Sequence, residues 1–296
     1  MTNTVFTGSA VALATPFRQG EVDFQALARL VDFQSKHGSD ALVVCGTTGE
    51  ASVLSADEQE RILSFVLERV NGRIPVIAGS GGNCTANVIG RSKRAQTLGA
   101  QGLLVVTPYY NKTSQRGLIA HYTAVADAVN IPIILYNVPS RTGLNMLPET
   151  IATLAEHPNI AGIKEAGGNI SQIAETARLI DRRMAIYSGN DDQILPMLSL
   201  GAVGVISAAG NIIPDLMHQM VEAWHMGARE HARELQLSVL PLCHALFSDV
   251  NPIPVKAALE MMGLCRSEVR LPLIPLNREK QEALAQVMRK MKLISA

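Results

Sequence analysis

Eight short apolar runs, each separated from the next by a helical pattern, constrain the fold of this chain more than any other feature of its sequence. The runs are residues 9–14, 41–45, 75–78, 102–107, 132–136, 160–165, 185–188 and 203–207. They are nearly continuous in hydrophobicity, which is typical of parallel strands covered by helices on both faces. Eight strands that alternate with eight helices predict an α/β fold, a closed (β/α)8 TIM barrel.

The segments between these runs carry the start and stop signals of helices. Ser55 and Glu58 have the spacing of a capping box, and a periodic apolar face follows them. Thr85 can cap a helix that ends at Gly99. No glycine-rich dinucleotide-binding loop follows the first run, which disfavours the alternative of an open doubly wound sheet.

The alternation of strands and helices is complete by about residue 227. The rest of the chain keeps a helical periodicity but is interrupted by four prolines, Pro252, Pro254, Pro272 and Pro275. We therefore expect two parts, a (β/α)8 barrel over residues 1–228 and a C-terminal helical appendage over residues 229–296.

Charge and cysteine content exclude several classes of partner. Lys plus Arg and Asp plus Glu both total 26, and no basic stripe is present that would suit nucleic acid or an anionic membrane surface. The four cysteines lie far apart, without the spacing of a zinc knuckle or a redox pair. The first residues lack the pattern of a signal peptide. The uncharged segment between Asp192 and Asp215 is broken by glycine and proline, unlike a membrane span. We expect a cytoplasmic protein.

One lysine lies where a charged side chain is costly. Lys164 belongs to the sixth apolar run, with Gly162 on the same side of the strand and Glu165 on the opposite side. One explanation is a long side chain that reaches solvent from the end of a strand. The alternative is a desolvated amine of lowered pKa, which can attack a carbonyl and form a Schiff base.

The other strand ends bring polar residues to the same rim, because the carboxyl ends of all eight strands meet at one face of such a barrel. The segments that follow them are Gly46-Thr47-Thr48-Gly49-Glu50, Gly79-Ser80-Gly81-Gly82-Asn83, Tyr109-Tyr110-Asn111, Tyr136-Asn137-Val138-Pro139-Ser140-Arg141, Ser188-Gly189-Asn190 and Ile206-Ser207. Each segment alone has an ordinary explanation as a turn, as packing at the rim or as a solvated side chain. Three of the five tyrosines fall there beside a lysine, threonines and an arginine, which favours a shared site.

These residue types suit carbanion chemistry on a keto acid. A neutral Lys164 can attack a ketone, and the resulting iminium is an electron sink. A tyrosine hydrogen-bonded to a threonine hydroxyl and to a second tyrosine can move the protons. Backbone N–H groups of the Gly-Thr-Thr-Gly loop can hold one carboxylate, and Arg141 offers a fork for a second.

The sequence predicts neither a cofactor nor a metal. Pyridoxal phosphate also uses a lysine, but its phosphate cup often follows the seventh and eighth strands, where Asp191 and Asp192 would repel a phosphate. The seven histidines form no H-x-x-x-H pair and no cluster with carboxylates.

The whole chain resembles the pyruvate-dependent Schiff-base aldolases, the superfamily of dihydrodipicolinate synthase and N-acetylneuraminate lyase. The resemblance rests on three motifs in the family's order and spacing: Gly46-Thr47-Thr48-Gly49-Glu50, Tyr136-Asn137-Val138-Pro139 and Gly162-Ile163-Lys164-Glu165. Tyr109-Tyr110 and Ser140-Arg141-Thr142-Gly143 are similar to the 4-hydroxy-tetrahydrodipicolinate synthase family rather than to the sialic acid lyases, which lack that arginine.

The resemblance implies a catalytic role for four residues. Lys164 would form the Schiff base with pyruvate. Tyr136 would donate and accept protons, together with Thr47 and with Tyr110, which would reach in from a neighbouring subunit. The family is commonly a homotetramer built as a dimer of dimers, so a partner copy of this chain is expected.

The resemblance also implies how the small-molecule substrates bind. The backbone around Thr48, with Gly189 and Ile206, would line the pyruvate site. Arg141 would receive the carboxylate of L-aspartate 4-semialdehyde at the entrance. The expected product is 4-hydroxy-tetrahydrodipicolinate, on the route to diaminopimelate and lysine.

Some positions depart from the family's pattern. Lysine-inhibited members carry two histidines and a glutamate where this chain has Ala56, Gln59 and Asn87, so we expect weak or absent feedback inhibition by L-lysine. Residues 207–211 also differ, which leaves open another pyruvate-dependent aldolase, of sugar acids or of N-acetylneuraminate. A further alternative is a barrel that binds a 2-keto acid without turning it over, although such a protein would not need Lys164.

Overall fold

Eight parallel strands close into a barrel in the computed structural model, which describes residues 4–295 of the chain. The strands are β1 (Gly8–Ala12), β2 (Ala41–Val44), β3 (Val76–Gly79), β4 (Gly102–Val106), β5 (Ile133–Asn137), β6 (Ile160–Glu165), β7 (Ala185–Ser188) and β8 (Gly204–Ser207). Each strand pairs with the next along the chain, and β8 pairs with β1, so that Gly204 stands opposite Gly8. The predicted (β/α)8 barrel is confirmed, with strand bounds that shift by one or two residues at most.

Helices cover the outside of the barrel. They are α1 (Phe24–Lys36), α2 (Ala56–Val70), α3 (Thr85–Leu98), α4 (Gln115–Asp127), α5 (Pro139–Thr142), α6 (Pro148–Leu154), α7 (Ile170–Ile180), α8 (Ile194–Ser199) and α9 (Pro214–His225). The predicted capping box of α2 is present, because Ser55 and Glu58 each accept the other's backbone N–H through a side-chain oxygen. Thr85 is the first residue of α3 rather than its cap, which is Cys84. The Thr85 hydroxyl instead lies 2.9 Å from His121 Nδ1.

Side-chain alternation along the strands divides the apolar core into two layers. In β2, Leu42 and Val44 belong to the layer shared with the helices, whereas Val43 belongs to the barrel interior. At the amino-terminal end the ring of Tyr187 stacks on Phe6, and the Tyr187 hydroxyl donates to the Phe6 carbonyl at 2.7 Å. Because the interior is packed rather than open, we expect any small-molecule site at the carboxyl ends of the strands.

Three more helices follow α9. They are α10 (Arg229–Leu246), α11 (Ile253–Met261) and α12 (Arg278–Lys290). Helix α10 packs against α9 and α12, while α11 contacts α10, α12 and the turn that follows β8. This last contact brings α11 to the carboxyl-terminal end of the barrel. Within residues 4–295, no helix combines the length and the apolarity needed to cross a membrane.

Candidate active site

Lys164 and Tyr136 meet in the mouth of the barrel. Lys164 lies near the carboxyl end of β6, is only 6% exposed, and stands opposite Tyr136 of β5. The Lys164 Nζ lies 4.5 Å from the centroid of the Tyr136 ring. Two residues earlier on the same side of β6 is Gly162, where a β-carbon would lie 3.0 Å from the ring of Tyr187. The strand therefore buries the amine beside a phenol instead of releasing it to solvent.

Glu165 points to the other side of the same strand. The Asn137 Nδ2 donates to both of its carboxylate oxygens, at 2.9 and 3.2 Å, and the Gly167 N–H donates to one of them at 2.7 Å. Burial raises the pKa of Glu165 to about 7, against the effect of these hydrogen bonds. The prediction that Glu165 does not pair with Lys164 is confirmed.

The loop of residues 46–50, which follows β2, is a tight turn at the same rim. The Glu50 N–H donates to the Thr47 carbonyl at 3.0 Å, and Cys45 and Glu50 on either side of the turn both have positive φ, 54° and 53°. Thr48 is 2% exposed, and its hydroxyl accepts a hydrogen bond from Asn251 Nδ2 at 2.9 Å. The two threonines are thus presented by a backbone that is held at both ends.

A cavity of about 90 Å³ gathers most of the predicted site residues. Its lining includes Thr47, Thr48, Tyr136, Arg141, Lys164 and Gly189. A second cavity of about 370 Å³ shares Thr47, Tyr136 and Arg141 with it. At Gly189 a β-carbon would lie 3.1 Å from Lys164 Cε and 2.7 Å from Ala166 Cβ, so a larger residue would displace the lysine.

Two predicted site residues lie elsewhere. Ile206 of β8 is fully buried in the barrel interior, and Ala208, two residues later, lines the cavity. Tyr110 is 93% exposed, has a φ of 70°, and is not among the described residues that line either cavity. A single chain therefore brings six of the eight predicted residues together and leaves the Tyr110 side chain in solvent.

Arg141 is fixed at the rim by a residue from the far end of the chain. It lies on α5, directly after β5, and its Nη2 donates to the Asn251 carbonyl at 2.9 Å. Asn251 thus contacts both Thr48 and Arg141, and its Oδ1 is buried without a hydrogen-bond partner among the described residues. Asn251 was not among the predicted site residues, although the neighbouring Pro252 predicted an interrupted helix there.

The two aspartates after β7 have different environments. Asp191 is 2% exposed, and its Oδ2 accepts the N–H groups of Ala208 and Ala209 at 3.2 and 2.8 Å. Burial raises the pKa of Asp191. Asp192 is exposed. Asp191 therefore shapes the turn after β8 beside the cavity. Across residues 4–295, no three His, Cys, Asp or Glu side chains are grouped to hold a metal ion.

Comparison with known proteins decides the family. The model of the Dihydrodipicolinate synthetase family matches residues 5–291. The chain belongs to this family. A 4-hydroxy-tetrahydrodipicolinate synthase of Caldicellulosiruptor bescii is 57% identical over 281 residues, 95% of each chain.

Solved structures of the dihydrodipicolinate synthetase family have the same fold over nearly the whole chain. The dihydrodipicolinate synthase of Thermotoga maritima has a TM-score of 0.97 at 44% identity, covering 98% of this chain and 100% of the other. The chloride-inhibited dihydrodipicolinate synthase of Acinetobacter baumannii, in complex with pyruvate, has a TM-score of 0.96 at 41% identity and the same coverage. The predicted resemblance is confirmed.

Proposed function

We propose that this chain condenses pyruvate with L-aspartate 4-semialdehyde to 4-hydroxy-tetrahydrodipicolinate through a lysine Schiff base. It is a lyase of the class I aldolase type and serves lysine and diaminopimelate biosynthesis. One observation carries the proposal: a buried amine, Lys164 Nζ, lies 4.5 Å from the Tyr136 ring in a cavity that Thr47 and Arg141 also line. The family and the pyruvate-bound relative support it.

Lys164 is the nucleophile. Its amine attacks the keto carbon of pyruvate, the N–C bond forms, the nitrogen loses a proton, and the carbonyl electron pair moves to oxygen, which takes up a proton. Loss of water leaves an iminium. Removal of a proton from the pyruvate methyl group then gives an enamine, whose carbon attacks the aldehyde of the second substrate and regenerates the iminium. The amino group of the second substrate attacks the iminium carbon, the bond from that carbon to Lys164 breaks, and the ring closes as the lysine amine leaves with a proton. The iminium serves as the electron sink, so the reaction needs no cofactor.

Tyr136 moves the protons that these steps require. Its ring contacts the Lys164 amine, and the Thr47 side chain lines the same cavity as a hydroxyl partner. Tyr110 completes the relay from a neighbouring subunit. The 93% exposure of Tyr110 supports this assignment, because a large aromatic side chain in solvent is available to a partner.

The two carboxylates bind at different depths. The pyruvate carboxylate is held by backbone groups around Thr48 and Gly189, which line the inner cavity, while the buried Ile206 packs with Tyr136 in the barrel interior. The carboxylate of L-aspartate 4-semialdehyde binds Arg141, which lines both cavities and so stands between the inner site and the rim. The Asn251 carbonyl orients that guanidinium.

We infer a homotetramer built as a dimer of dimers and a cytoplasmic location. The four cysteines are free thiols, which suits a reducing compartment. The barrel of residues 1–228 carries the catalytic residues, and residues 229–296 form the appendage. L-Lysine inhibits weakly or not at all, because Ala56, Gln59 and Asn87 stand where lysine-inhibited members carry two histidines and a glutamate. The Gln59 side chain instead donates a hydrogen bond to the Ala51 carbonyl at 3.0 Å.

Pyruvate consumption tests the reaction. Purified enzyme is offered L-aspartate 4-semialdehyde in one assay and N-acetylmannosamine in another, and we expect rapid loss of pyruvate only in the first. Loss only in the second, or in neither, would overturn the choice of aldehyde.

Borohydride trapping tests the residue roles. Pyruvate and borohydride should leave a reduced adduct on Lys164, and Lys164→Ala should abolish it; a parent enzyme without the adduct would favour a binding barrel. Tyr136→Phe should fold normally but turn over on the order of a hundredfold more slowly. A nearly parental rate in Tyr136→Phe would contradict the proton relay.

A further inference from the structure

A fully buried ion pair joins the loop of residues 46–50 to the C-terminal segment. Glu50 is the last residue of the loop, and Lys256 lies on α11, 206 residues later in the chain. The Lys256 Nζ donates to Glu50 Oε1 at 2.6 Å, and the two side chains are 0% and 1% exposed. Burial lowers the pKa of Lys256, and the contact with Glu50 opposes that shift.

Lys256 differs from Lys164 in what its amine contacts. The Lys164 amine lies in the inner cavity, whereas Lys256 is not among the described residues that line either cavity. The Lys256 Nζ is held between Glu50 and the buried ring of Phe17, whose centroid is 4.0 Å away. An amine enclosed in this way cannot reach a keto acid. Any effect of Lys256 on the reaction is therefore indirect, and Glu50 is its contact in the loop of residues 46–50.

Stability alone is a weak reason for such a pair. Both charges lose their hydration on burial, and an apolar pair of similar volume is often as stable or more so. What the pair supplies is geometry, because a 2.6 Å contact fixes the end of the loop relative to α11.

The loop needs such an anchor because its backbone is strained at both ends. Cys45 and Glu50 both adopt the left-handed conformation, which is unfavourable for residues other than glycine and persists only where surrounding contacts enforce it. Between them lie Thr47 and Thr48. The Glu50 carboxylate accepts hydrogen bonds from two donors. Its Oε1 accepts from Lys256 Nζ, and its Oε2 accepts from the backbone N–H of Arg270 at 3.1 Å.

Arg270 extends the anchor to the next helix. Its guanidinium carbon lies 4.4 Å from the centroid of the Phe17 ring, so that this ring is contacted by two cations. The same guanidinium donates to both carboxylate oxygens of Glu58, at 2.5 and 2.9 Å, and lowers the pKa of Glu58 to about 2. Glu58 is the capping-box residue of α2, the helix that follows the loop.

We infer that Lys256 and Glu50 are positioning residues, which hold Thr47 and Thr48 in the geometry that binds pyruvate and passes protons. This inference rests on the proposed roles of the two threonines. It also gives the C-terminal segment a part in the reaction. Three of its residues, Asn251, Lys256 and Arg270, contact the loop of residues 46–50 directly.

The double variant Glu50→Gln/Lys256→Met separates positioning from stability. Removing both charges avoids leaving one of them buried and unpaired, so we expect a thermal midpoint within a few degrees of the parent. We expect kcat/KM for pyruvate to fall on the order of a hundredfold, the scale of a misplaced catalytic group. As kcat/KM falls, the pyruvate concentration that gives half-maximal borohydride trapping should rise. A folded double variant with parental kcat/KM and parental trapping would overturn the inference.

A second variant keeps the test decisive if the double variant does not fold. Glu50→Asp retains both charges and shortens the side chain by one methylene, so it should fold while drawing the loop out of place. We expect about a tenfold loss in kcat/KM for pyruvate. A folded Glu50→Asp enzyme with parental kcat/KM and parental trapping would equally overturn the inference.

The matched control is Lys280→Met, which breaks the half-buried pair between Lys280 and Asp249 in the same C-terminal segment. It should leave kcat/KM unchanged, and an equal loss in this variant would contradict a specific role for Lys256. Trapping in the parent distinguishes a failure of the proposed function from a failure of the positioning role alone. A parent without an adduct at Lys164 refutes the proposed function itself, whereas a normal parent with unaffected Glu50 and Lys256 variants refutes only the positioning role.

Discussion

Adjacent residues of one strand have opposite chemical environments in this protein. Lys164 faces the cavity beside Tyr136, while Glu165 is turned outward onto Asn137. The strand register repeats the arrangement, since Tyr136 stands opposite Lys164 and Asn137 opposite Glu165. The Lys164–Tyr136 pair and the outward hydrogen-bonded pair of Glu165 and Asn137 therefore occupy successive positions on the same two strands.

Glu165 gives the enzyme a pH-dependent stability. Its pKa is about 7 in the folded protein, against an ordinary value of 4.5, so the folded state binds more protons than the unfolded state between these values. The contribution of Glu165 to the free energy of unfolding is thus complete below about pH 4.5 and is lost as the pH rises through about 7. The change is roughly 3 kcal/mol. The variant Glu165→Gln has no carboxyl group to titrate at this position. We therefore expect the thermal midpoint of the parent, measured relative to that of the variant, to be lower at pH 8 than at pH 5.

The control for this prediction is Glu149→Gln, which removes an exposed carboxylate from the first turn of α6. Its thermal midpoint should differ from that of the parent by the same amount at both pH values. A constant difference for Glu165→Gln as well would show that the Glu165 carboxyl does not change its protonation in this range.

At the scale of elements, one side chain closes the barrel where its first and last strands meet. Asn211 lies in the turn after β8 and is 1% exposed. Its Oδ1 accepts the Ala14 N–H at 3.0 Å, and its Nδ2 donates to the carbonyls of Ala12 and Ala208 at 2.8 and 2.9 Å. A single amide thus satisfies backbone groups at the ends of both β1 and β8.

Asn211→Ala should weaken this closure. It leaves the Ala14 N–H and the Ala12 carbonyl buried without that partner, and each such group costs about 1–3 kcal/mol. We expect the free energy of unfolding to fall by about 3 kcal/mol or more, measured from urea unfolding curves. Asn130→Ala, at an exposed position, is the control and should change the curve little. Coincident curves for Asn211→Ala and the parent would contradict the role of Asn211.

Local pattern was enough to predict most of the barrel and much of its site. Apolar runs gave the strands, and the spacing of Ser55 and Glu58 gave the start of α2, because both depend on neighbours in the chain. The helix cap predicted at Thr85 lies one residue too late, because α3 is capped at Cys84 and the Thr85 hydroxyl lies 2.9 Å from His121 Nδ1.

The contacts that fix the site could not be predicted, because they join residues far apart in sequence. Asn211 reaches Ala14 across 197 positions, and Lys256 reaches Glu50 across 206. The sequence near Asn211 or Lys256 does not indicate which distant residue its side chain contacts. Lys256 did carry a signal, a lysine within the apolar run of α11, which is the same anomaly that drew attention to Lys164. An apolar run predicts that such a lysine is buried, but it does not predict whether the amine contacts a carboxylate or a substrate.

At the scale of the whole molecule, the role proposed for Tyr110 requires a second copy of the chain. Its side chain is 93% exposed and its backbone is left-handed, although the loop that presents it is tied down. The Asn111 Nδ2 donates to the Asn83 carbonyl at 2.8 Å, which holds this loop against the one after β3. A fixed loop that displays an aromatic side chain to solvent fits a contact with a second copy, and in a symmetric dimer each copy would complete the other's site.

Mixed assemblies test whether Tyr110 acts across the interface. Co-expressed Lys164→Ala and Tyr110→Phe subunits, carrying different tags, are each expected to be nearly inactive alone. If Tyr110 serves the neighbouring site, a mixed dimer contains one complete site, with Lys164 from one subunit and Tyr110 from the other. Random pairing should then restore about a quarter of the parent's activity. If Tyr110 serves its own chain, every site that has Lys164 lacks the tyrosine, and no activity returns.

The matched control pairs Tyr110→Phe with the double variant Lys164→Ala/Tyr110→Phe. Neither arrangement of these subunits contains a complete site, so activity must stay at the level of Tyr110→Phe whichever way the relay runs. Recovery in the first mixture but not in the second can come only from a tyrosine donated between subunits. Equal activities in the two mixtures would place the whole relay within one chain, and the exposure of Tyr110 would then have to serve the assembly of subunits rather than the reaction.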